Sequence, residues 1–550
     1  MQLVPGQSAL IVPEGMASPA RPRHRPSMRS KLAVHAGRRS GGKTGALPAY
    51  VASILGGAVL AMAWLVPETG LSAWLGGIAA LLLVYAVRAR RAYLPMYCAG
   101  LVGHLVGFHW VYQTVRVFGG FGPPAAAMVF GLFVATGALQ FLLFALIHHH
   151  LDAAFDALAL RSATAVALSE LLMPRLFPWH FGHTQIAFTP FVQIAGLGGA
   201  IAVSFLMFWL AEAVVRVVVF REQRRAFLLP VVLSVLAMAY GAAMMGTFRS
   251  PHGVLQEVVL VQGNATLAEK RDLASAQQNL VRIFDLSTVA AHPDTLVIWP
   301  EGSVPAYIPA TIGMVGYPPI LPWIGNGSAF LVGSYSFLPN EERFNAAFAV
   351  YPNGDVPMPY FKRVLIPFGE YMPLASYFSG LKELNAKAGV FSAGTEAMVF
   401  AYPMHRPDGT AYTLKVSPLI CYEDTVPALA RESVGRGAEL LVNITSDSWF
   451  GRTLAPHQHH LIAAFRAIEN RRFLIRATNT GLSAVVDPLG KTIARIPPFS
   501  EGTVTAQVRL LNDRSAYTNW VGDRPWWTLL VLSVGMVVVR RWPGAGGGTS

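Results

Sequence analysis

Long uncharged runs fill this chain from Tyr50 to about residue 248, another follows Arg524, and between them lie roughly 260 residues of ordinary polarity, enough for a compact domain with its own core. Each run approaches the ~20 residues a bilayer-spanning helix needs, because inside hydrocarbon every backbone polar group must be satisfied within the segment. We place spans near 49–67, 72–88, 94–112, 124–147, 162–177, 190–215 and 226–246, and a last one near 526–541. The fifth is short and carries Glu170. With 53% hydrophobic and only 13% charged residues, the chain reads as a multi-span membrane protein.

The formal charge of +13 is distributed as a membrane protein distributes it. Arg21, Arg23, Arg25, Arg29, Lys31, Arg38, Arg39 and Lys43 face only Glu14 in a Pro/Ser/Gly-rich tail. Arg88, Arg90 and Arg91 close the second run, His148 to His150 and Arg161 flank the fourth and fifth, and Arg221, Arg224 and Arg225 close the sixth. With the tail in the cytoplasm all of these clusters lie inside, seven crossings deliver the polar segment to the outer face, and the eighth returns Arg540 and Arg541. Trp526 and Trp527 then anchor at the outer interface. Nucleic-acid binding is a distant second explanation of the charge.

Several motifs carry little. Gly37, Gly42, Lys43 and Thr44 match a phosphate-loop pattern, but no buried strand precedes them and Pro48 follows closely. Cys98 and Cys421 are too far apart to suggest a disulfide framework or a cysteine metal site. His148 to His150, and His457, His459 and His460, read as ordinary helix residues, with no metal expected. The stretch 170–193 packs Glu170, Arg175, Trp179, His180 and His183 into the end of a span and its outer loop. Such groups line a cavity or neutralise one another, Glu170 and Arg175 being the obvious pair.

From about Val254 the pattern changes to short β segments alternating with helical ones. Expected strands are 257–262, 295–299, 329–335, 346–351, 414–421, 439–444, 473–477, 483–487 and 503–508, with helices at 280–290 and 460–470. Alternation of this kind implies an α/β domain with a largely buried sheet, whose reactive groups collect at strand ends. Three strand ends carry candidates: Glu301 after Trp299-Pro300, Lys362 with Glu370 eight residues on, and Cys421. Together they suit acyl transfer through a thioester. Glu301 is the general base, Lys362 lowers the thiol pKa and holds the oxyanion with the backbone N–H of Tyr422, and Glu370 keeps Lys362 charged and aimed. Singly, each also reads as a buried small thiol or a surface ion pair.

The stretches WPE (299–301), FKR (361–363), PFGE (367–370) and CYED (421–424), in this order and spacing, resemble the carbon–nitrogen hydrolase (nitrilase) superfamily with its Glu–Lys–Cys triad. NITSDSWFG (443–451), PHQH (456–459), RAIE (466–469) and ATNTG (477–481) look like one branch of it, the bacterial apolipoprotein N-acyltransferase family. Glu170, Phe177-Pro178-Trp179, Gly182, Gln185 and Gln193 resemble that family's membrane half, so the likeness covers about residues 50 to 540.

The resemblance implies a membrane α-helical bundle of about eight spans with an inserted α/β domain of the nitrilase αββα sandwich type. It divides the chain into a basic cytoplasmic tail (1–48), a seven-span bundle (49–248), a periplasmic catalytic domain (254–511), a C-terminal span (524–543) and a cytoplasmic end (544–550). It implies Glu301 as base, Lys362 as oxyanion lysine, Cys421 as acyl-bearing nucleophile, Glu370 in support, Tyr422 and Glu423 shaping the pocket, and an arm at 374–391 that offers Tyr377, Phe378 and Leu381 to lipid. No cofactor or metal is implied. The implied partners are a phospholipid acyl donor and a diacylglyceryl apolipoprotein acceptor, handled by a monomer in the bacterial inner membrane. A membrane-tethered nitrilase-like amidase or hydrolase, and a non-catalytic lipid- or lipoprotein-binding scaffold, are the rival readings. Val364, Gly302-Ser303, Ser446 and His457 depart from the family pattern and bear on substrate preference rather than on the triad.

Overall fold

A computed structural model describes residues 45–117, 119–222, 225–249, 252–311, 327–367, 369–371, 391–406 and 408–541. Tyr377, Phe378 and Leu381 of the expected arm, and the phosphate-loop match, lie outside the described residues. The apolar half folds as α1 (Ala46–Leu65), α2 (Gly70–Val87), α3 (Tyr93–Gly107), α4 (Trp110–Val117), α5 (Pro123–His150), α6 (Arg161–Leu172), α7 (Ala195–Val214) and α8 (Arg225–Thr247). Local chemistry sets the ends. The Thr69 hydroxyl caps α2 by accepting the Ser72 N–H at 3.2 Å, and Pro at the first positions of α5 removes donors that would have no partner. Small residues let the helices touch: a Cβ on Gly57 of α1 would sit 2.2 Å from the Ala99 carbonyl oxygen of α3.

Among the described residues five helices are long and apolar enough to cross a membrane, and six if α3 and α4, bent by 58°, count as one broken span. The eight-span expectation exceeds this in two places. The fifth span is only the 12-residue α6, because Pro174, Pro178 and Pro190 deny the following stretch a continuous helix. The final helix, Arg524–Arg541, is 18 residues long and begins and ends on arginines. Glu170 and Arg175 form no direct carboxylate–guanidinium ion pair. The Glu170 carboxylate takes His180 Nδ1 at 3.0 Å, the Phe181 N–H at 2.7 Å and the Ser204 hydroxyl at 3.0 Å, while Arg175 donates to the Glu170 carbonyl at 2.9 Å. These bonds hold the irregular 173–194 stretch in place.

Among the described residues the polar segment contains thirteen strands: β1 (Leu255–Gln262), β2 (Leu296–Trp299), β3 (Tyr307–Pro309), β4 (Ala329–Phe337), β5 (Arg343–Val350), β6 (Tyr360–Phe361), β7 (Phe400–His405), β8 (Ala411–Ile420), β9 (Leu440–Thr445), β10 (Phe473–Thr478), β11 (Ser483–Val486), β12 (Thr492–Ile496) and β13 (Gly502–Arg509). They form two sheets, ordered β13-β1-β2-β4-β5-β6 with β3 beside the far half of β4, and β12-β11-β10-β9-β8-β7. Parallel pairs β1–β2, β2–β4, β8–β9 and β9–β10 form the centres, and antiparallel strands close the edges. Helices α9 (Leu273–Ala290), α10 (Pro427–Gly435) and α11 (Ala455–Asn470) complete the domain, and α12 (Arg524–Arg541) ends the described chain.

The layers are helix, sheet, sheet, helix, as expected. Val258, Leu260, Leu296 and Ile298 of the first sheet meet Tyr402, Leu414, Val416, Leu440, Val442 and Ile475 of the second in one apolar core. Val259, Val261, Val297 and Trp299 pack outward on Ile283 of α9. The outer face of the second sheet, through Leu419, Leu441 and Leu474, packs on α10 and α11 in a cluster continuous with Trp64, Phe108, Phe177 and Trp179 of the apolar half. Trp526 is not an interfacial anchor: it is buried and donates to the Gly198 carbonyl at 2.9 Å.

Candidate active site

The site gathers where β2, β6 and β8 end. Cys421 follows the last residue of β8 in a backbone turn, not in the strand as expected, and its φ of 54° is left-handed. That conformation is uncommon outside glycine and lifts a side chain out of the strand at a cost of about 1–3 kcal/mol. The turn is tied back by Asn443, whose Nδ2 donates to the carbonyls of Cys421 at 3.0 Å and Leu419 at 3.3 Å. Glu423 fastens it to the neighbouring sheet. Its carboxylate accepts the N–H groups of Ile420 at 2.7 Å, Arg363 at 2.6 Å and Val364 at 3.1 Å, together with the Tyr360 hydroxyl. Glu423 therefore clamps the cysteine turn to the residues flanking Lys362. Tyr422 is half-buried at the margin of the inter-sheet core.

Lys362 is fully buried between two carboxylates. Its Nζ lies 2.7 Å from Glu370 Oε2, 2.8 Å from Glu370 Oε1 and 3.9 Å from Glu301 Oε1. Asn345 on β5 joins the same pair, its Nδ2 donating to Glu301 at 2.6 Å and to Glu370 at 3.0 Å. The Ile366 N–H fixes Glu370 Oε2 at 2.9 Å. Glu301 Oε2 receives no hydrogen bond from any described residue, so one carboxylate oxygen remains able to accept a proton.

Burial shapes the charges. It disfavours the Lys362 ammonium, yet Glu370 foremost, then Cys421 and Glu301, raise that group's pKa above its ordinary value. Burial also raises Glu301 above the usual carboxylate range, against the pull of Lys362. Burial first, then Glu301, pushes the Cys421 thiol well above its ordinary value, and Lys362 opposes this without prevailing. Lys362 thus lowers the thiol pKa, but burial and Glu301 outweigh it. The thiol keeps its proton, and a base of raised affinity stands ready to take it.

Three groups escaped the sequence reading. Asn345 is a lone amide on an apolar strand, and its isolation was the available signal. Lys270 donates to the Glu301 carbonyl at 2.9 Å and to Ser446 Oγ at 3.0 Å, and burial pushes it down to about 8. Ser446, one of the departures from the family pattern, is thereby a member of the site. Behind the nucleophile, His459 lies between Asp424 at 2.8 Å and Asp447 at 3.0 Å, with Arg476 on Asp424 at 2.9 Å. Burial opposes its charge, but the two carboxylates raise it to about 9. Both ring nitrogens of His459 are committed to carboxylates, and no group of three or more His, Cys, Asp or Glu is disposed to hold a metal among the described residues.

Comparison with known proteins bears on both halves. Residues 324–516 match the carbon-nitrogen hydrolase model, and 56–213 match the apolipoprotein N-acyltransferase N-terminal domain model. The apolipoprotein N-acyltransferase of Geobacter metallireducens is 31% identical over 504 residues, covering 86% of this chain and 92% of that one. The apolipoprotein N-acyltransferase of Vibrio vulnificus is 27% identical over 507 residues, covering 89% and 97%. Among solved structures, Nit3 of Saccharomyces cerevisiae, a member of branch 10 of the nitrilase superfamily, aligns with 46% of this chain and 90% of its own at 19% identity and a TM-score of 0.35.

Proposed function

The chain belongs to the apolipoprotein N-acyltransferase family, and from that premise we propose that it moves a fatty acyl chain from a membrane phospholipid, through a thioester on Cys421, to the α-amino group of the diacylglyceryl-modified N-terminal cysteine of apolipoproteins. The observation that carries the assignment of roles is the buried Glu370–Lys362–Glu301 row, with Lys362 Nζ 2.7 Å from one carboxylate and 3.9 Å from the other, beside the Cys421 turn that Glu423 clamps to it.

In the first half-reaction the free oxygen of Glu301 takes the thiol proton as Cys421 sulfur attacks the ester carbonyl carbon. The Lys362 ammonium, held by Glu370, and the backbone N–H of Tyr422 stabilise the oxyanion. Collapse breaks the C–O bond, and the lysophospholipid oxygen leaves with the proton from Glu301. In the second half-reaction the acceptor amine attacks the thioester carbonyl while Glu301 takes its proton. The C–S bond then breaks and the proton returns to sulfur, giving the amide and the free thiol. Glu423 keeps the two cysteine-bearing and lysine-bearing turns together, and Tyr422 borders the pocket. The apolar helices bring both lipid substrates to the triad, a proximity a soluble hydrolase cannot give them. Exclusion of water favours the amine over hydrolysis.

The residue boundaries 1–48, 49–248, 254–511, 524–543 and 544–550, a periplasmic catalytic domain on a monomer, and an inner-membrane location with both termini cytoplasmic belong to the same reading, supported by the arginine clusters. Purified protein incubated with acyl-labelled phospholipid should form a hydroxylamine-sensitive adduct that disappears in Cys421→Ala and chases to an added diacylglyceryl peptide. Ammonia release from small amides with no adduct would instead indicate a tethered amidase. For topology, a reporter fused after residue 254 should be active only outside the cytoplasm.

A further inference from the structure

Gln458 and His459 are adjacent on α11, and their side chains reach different parts of the molecule. Gln458 is fully buried. Its Oε1 accepts Trp110 Nε1 at 2.8 Å, and its Nε2 donates to the carbonyls of Trp64 at 2.9 Å and Gly107 at 3.0 Å. Trp64 lies in the last turn of α1, Gly107 ends α3 and Trp110 begins α4. Carbonyls at helix C-termini have no partner within the helix, and here both find one in a single amide from the α/β domain. The contact sits at the 58° bend between α3 and α4.

One residue on, His459 turns to the reactive end of the second sheet. Both its ring nitrogens face carboxylate oxygens, Asp424 Oδ1 at 2.8 Å and Asp447 Oδ1 at 3.0 Å, an arrangement that favours the imidazolium with both nitrogens donating. Asp424 belongs to the same turn as Cys421, and Asp447 opens the turn that ends at Phe450. The Phe450 ring lies edge-on to Trp110, with centroids 5.1 Å apart. Asp424 Oδ2 is held by Arg476 at 2.9 Å, so neither oxygen of Asp424 is left to rotate. A short, wholly buried path thus runs from the ends of α1 and α3 through Gln458, one peptide unit, His459 and Asp424 to the nucleophile's turn.

We infer that Gln458 and His459 are positioning residues that fix the height of the Cys421 sulfur against the apolar helices, so that the ester of a bilayer-held phospholipid meets it. This rests on the acyl-transfer reading above. A phospholipid cannot move along the membrane normal to follow a displaced thiol, whereas a soluble ester can, and a misplacement of ~1 Å costs about a hundredfold in rate. Loss of the register therefore penalises one class of donor.

The test uses full-length protein in phosphatidylethanolamine/phosphatidylglycerol vesicles with two acyl donors, the vesicle phospholipid and p-nitrophenyl acetate, scoring thioester formation on Cys421 for each. Gln458→Ala should slow acylation by phospholipid between about tenfold and a hundredfold while the p-nitrophenolate burst stays within about twofold. Trp110→Phe, which removes one hydrogen bond and leaves the two carbonyl contacts, should slow the phospholipid reaction by about fivefold with the burst again preserved; it decides the matter if Gln458→Ala does not elute as a folded species. His459→Gln, with fewer donors for the two carboxylates, should slow the phospholipid reaction at least about fivefold more than the p-nitrophenolate burst, since it breaks the same path. Equal slowing of both donors in Gln458→Ala and Trp110→Phe would make the contact merely structural and overturn the proposal. So would phospholipid acylation at the parent rate in either variant or in His459→Gln. A parent enzyme that bursts with p-nitrophenyl acetate yet takes no acyl group from phospholipid would refute acyl transfer itself, and the register with it.

Discussion

The core between the two sheets and the seam between α11 and the apolar helices are both buried, yet they are made of different matter. The core is Val, Leu, Ile, Ala and Met with a few aromatics, drawn from strands that alternate inward and outward. Its contacts are non-directional, so it fixes that the sheets stack but tolerates repacking at constant volume. The seam carries Gln458, His459, His460, Arg466, Glu469 and Asn470 on one buried helix face or another, answered by Trp110, Ala200 and the backbone carbonyls of Trp64 and Gly107. Such bonds contribute little net stability while made and cost much when half broken. The core decides that the domain folds, and the seam decides where its reactive end is held.

Substitutions that separate stability from rate put this contrast at risk. The reference point belongs to neither region: Glu301→Gln should lower phospholipid-dependent thioester formation by about a thousandfold and leave the melting temperature nearly unchanged. Next, Glu469→Ala leaves the buried Arg466 guanidinium, now 2.9 Å from its carboxylate, without that partner, and should cost about 3–5 kcal/mol. Leu440→Ala in the core should cost about 2–5 kcal/mol. At a temperature where both remain folded, the core variant should keep the parental rate and the seam variant should not. Equal rates in thermally matched samples would erase the distinction.

A third test uses pH. The folded-state pKa of His459 is raised to about 9, so its contribution is full below the ordinary histidine range and is lost as pH rises through about 9. The amount at stake is on the order of 3 kcal/mol. Denaturation midpoints should fall across that interval in the parent and much less in His459→Gln. The smallest effect concerns the acid side. Glu301 is raised above its ordinary value and must be ionised to act, so activity is lost as pH falls through that raised value. Because the Asn345 hydrogen bond favours the carboxylate, Asn345→Leu should move this limb to higher pH by about one unit.

The sequence made the reactive residues legible because each follows an apolar strand that stops abruptly. Their supports were hidden for the opposite reason. Asp424 meets Arg476 across 52 positions, and Gln458 meets Trp64 across 394, distances over which no local pattern speaks. Strand β7 was missed because Pro403 argues against a strand, and it survives because β7 lies at the sheet edge, where a missing donor is harmless. β12 shows only a short exposed alternation. In the apolar half, hydropathy found the long helices but not the end of α6, where prolines and buried polar contacts replace helical geometry.

The continuous cluster that joins the outer face of the second sheet to the apolar helices has a consequence for biosynthesis. The α/β segment is contiguous in the chain but is not self-sufficient: excised, it would expose Leu461, Phe465 and Ile468 along with an amide and an arginine whose partners lie elsewhere. Emerging from the ribosome, the early helices must wait for a plug that is translated hundreds of residues later. The last helix then seals the assembly, with the Trp526 indole on the Gly198 carbonyl acting as a latch. Truncation near the C-terminus therefore produces an unfinished closure rather than a shortened anchor.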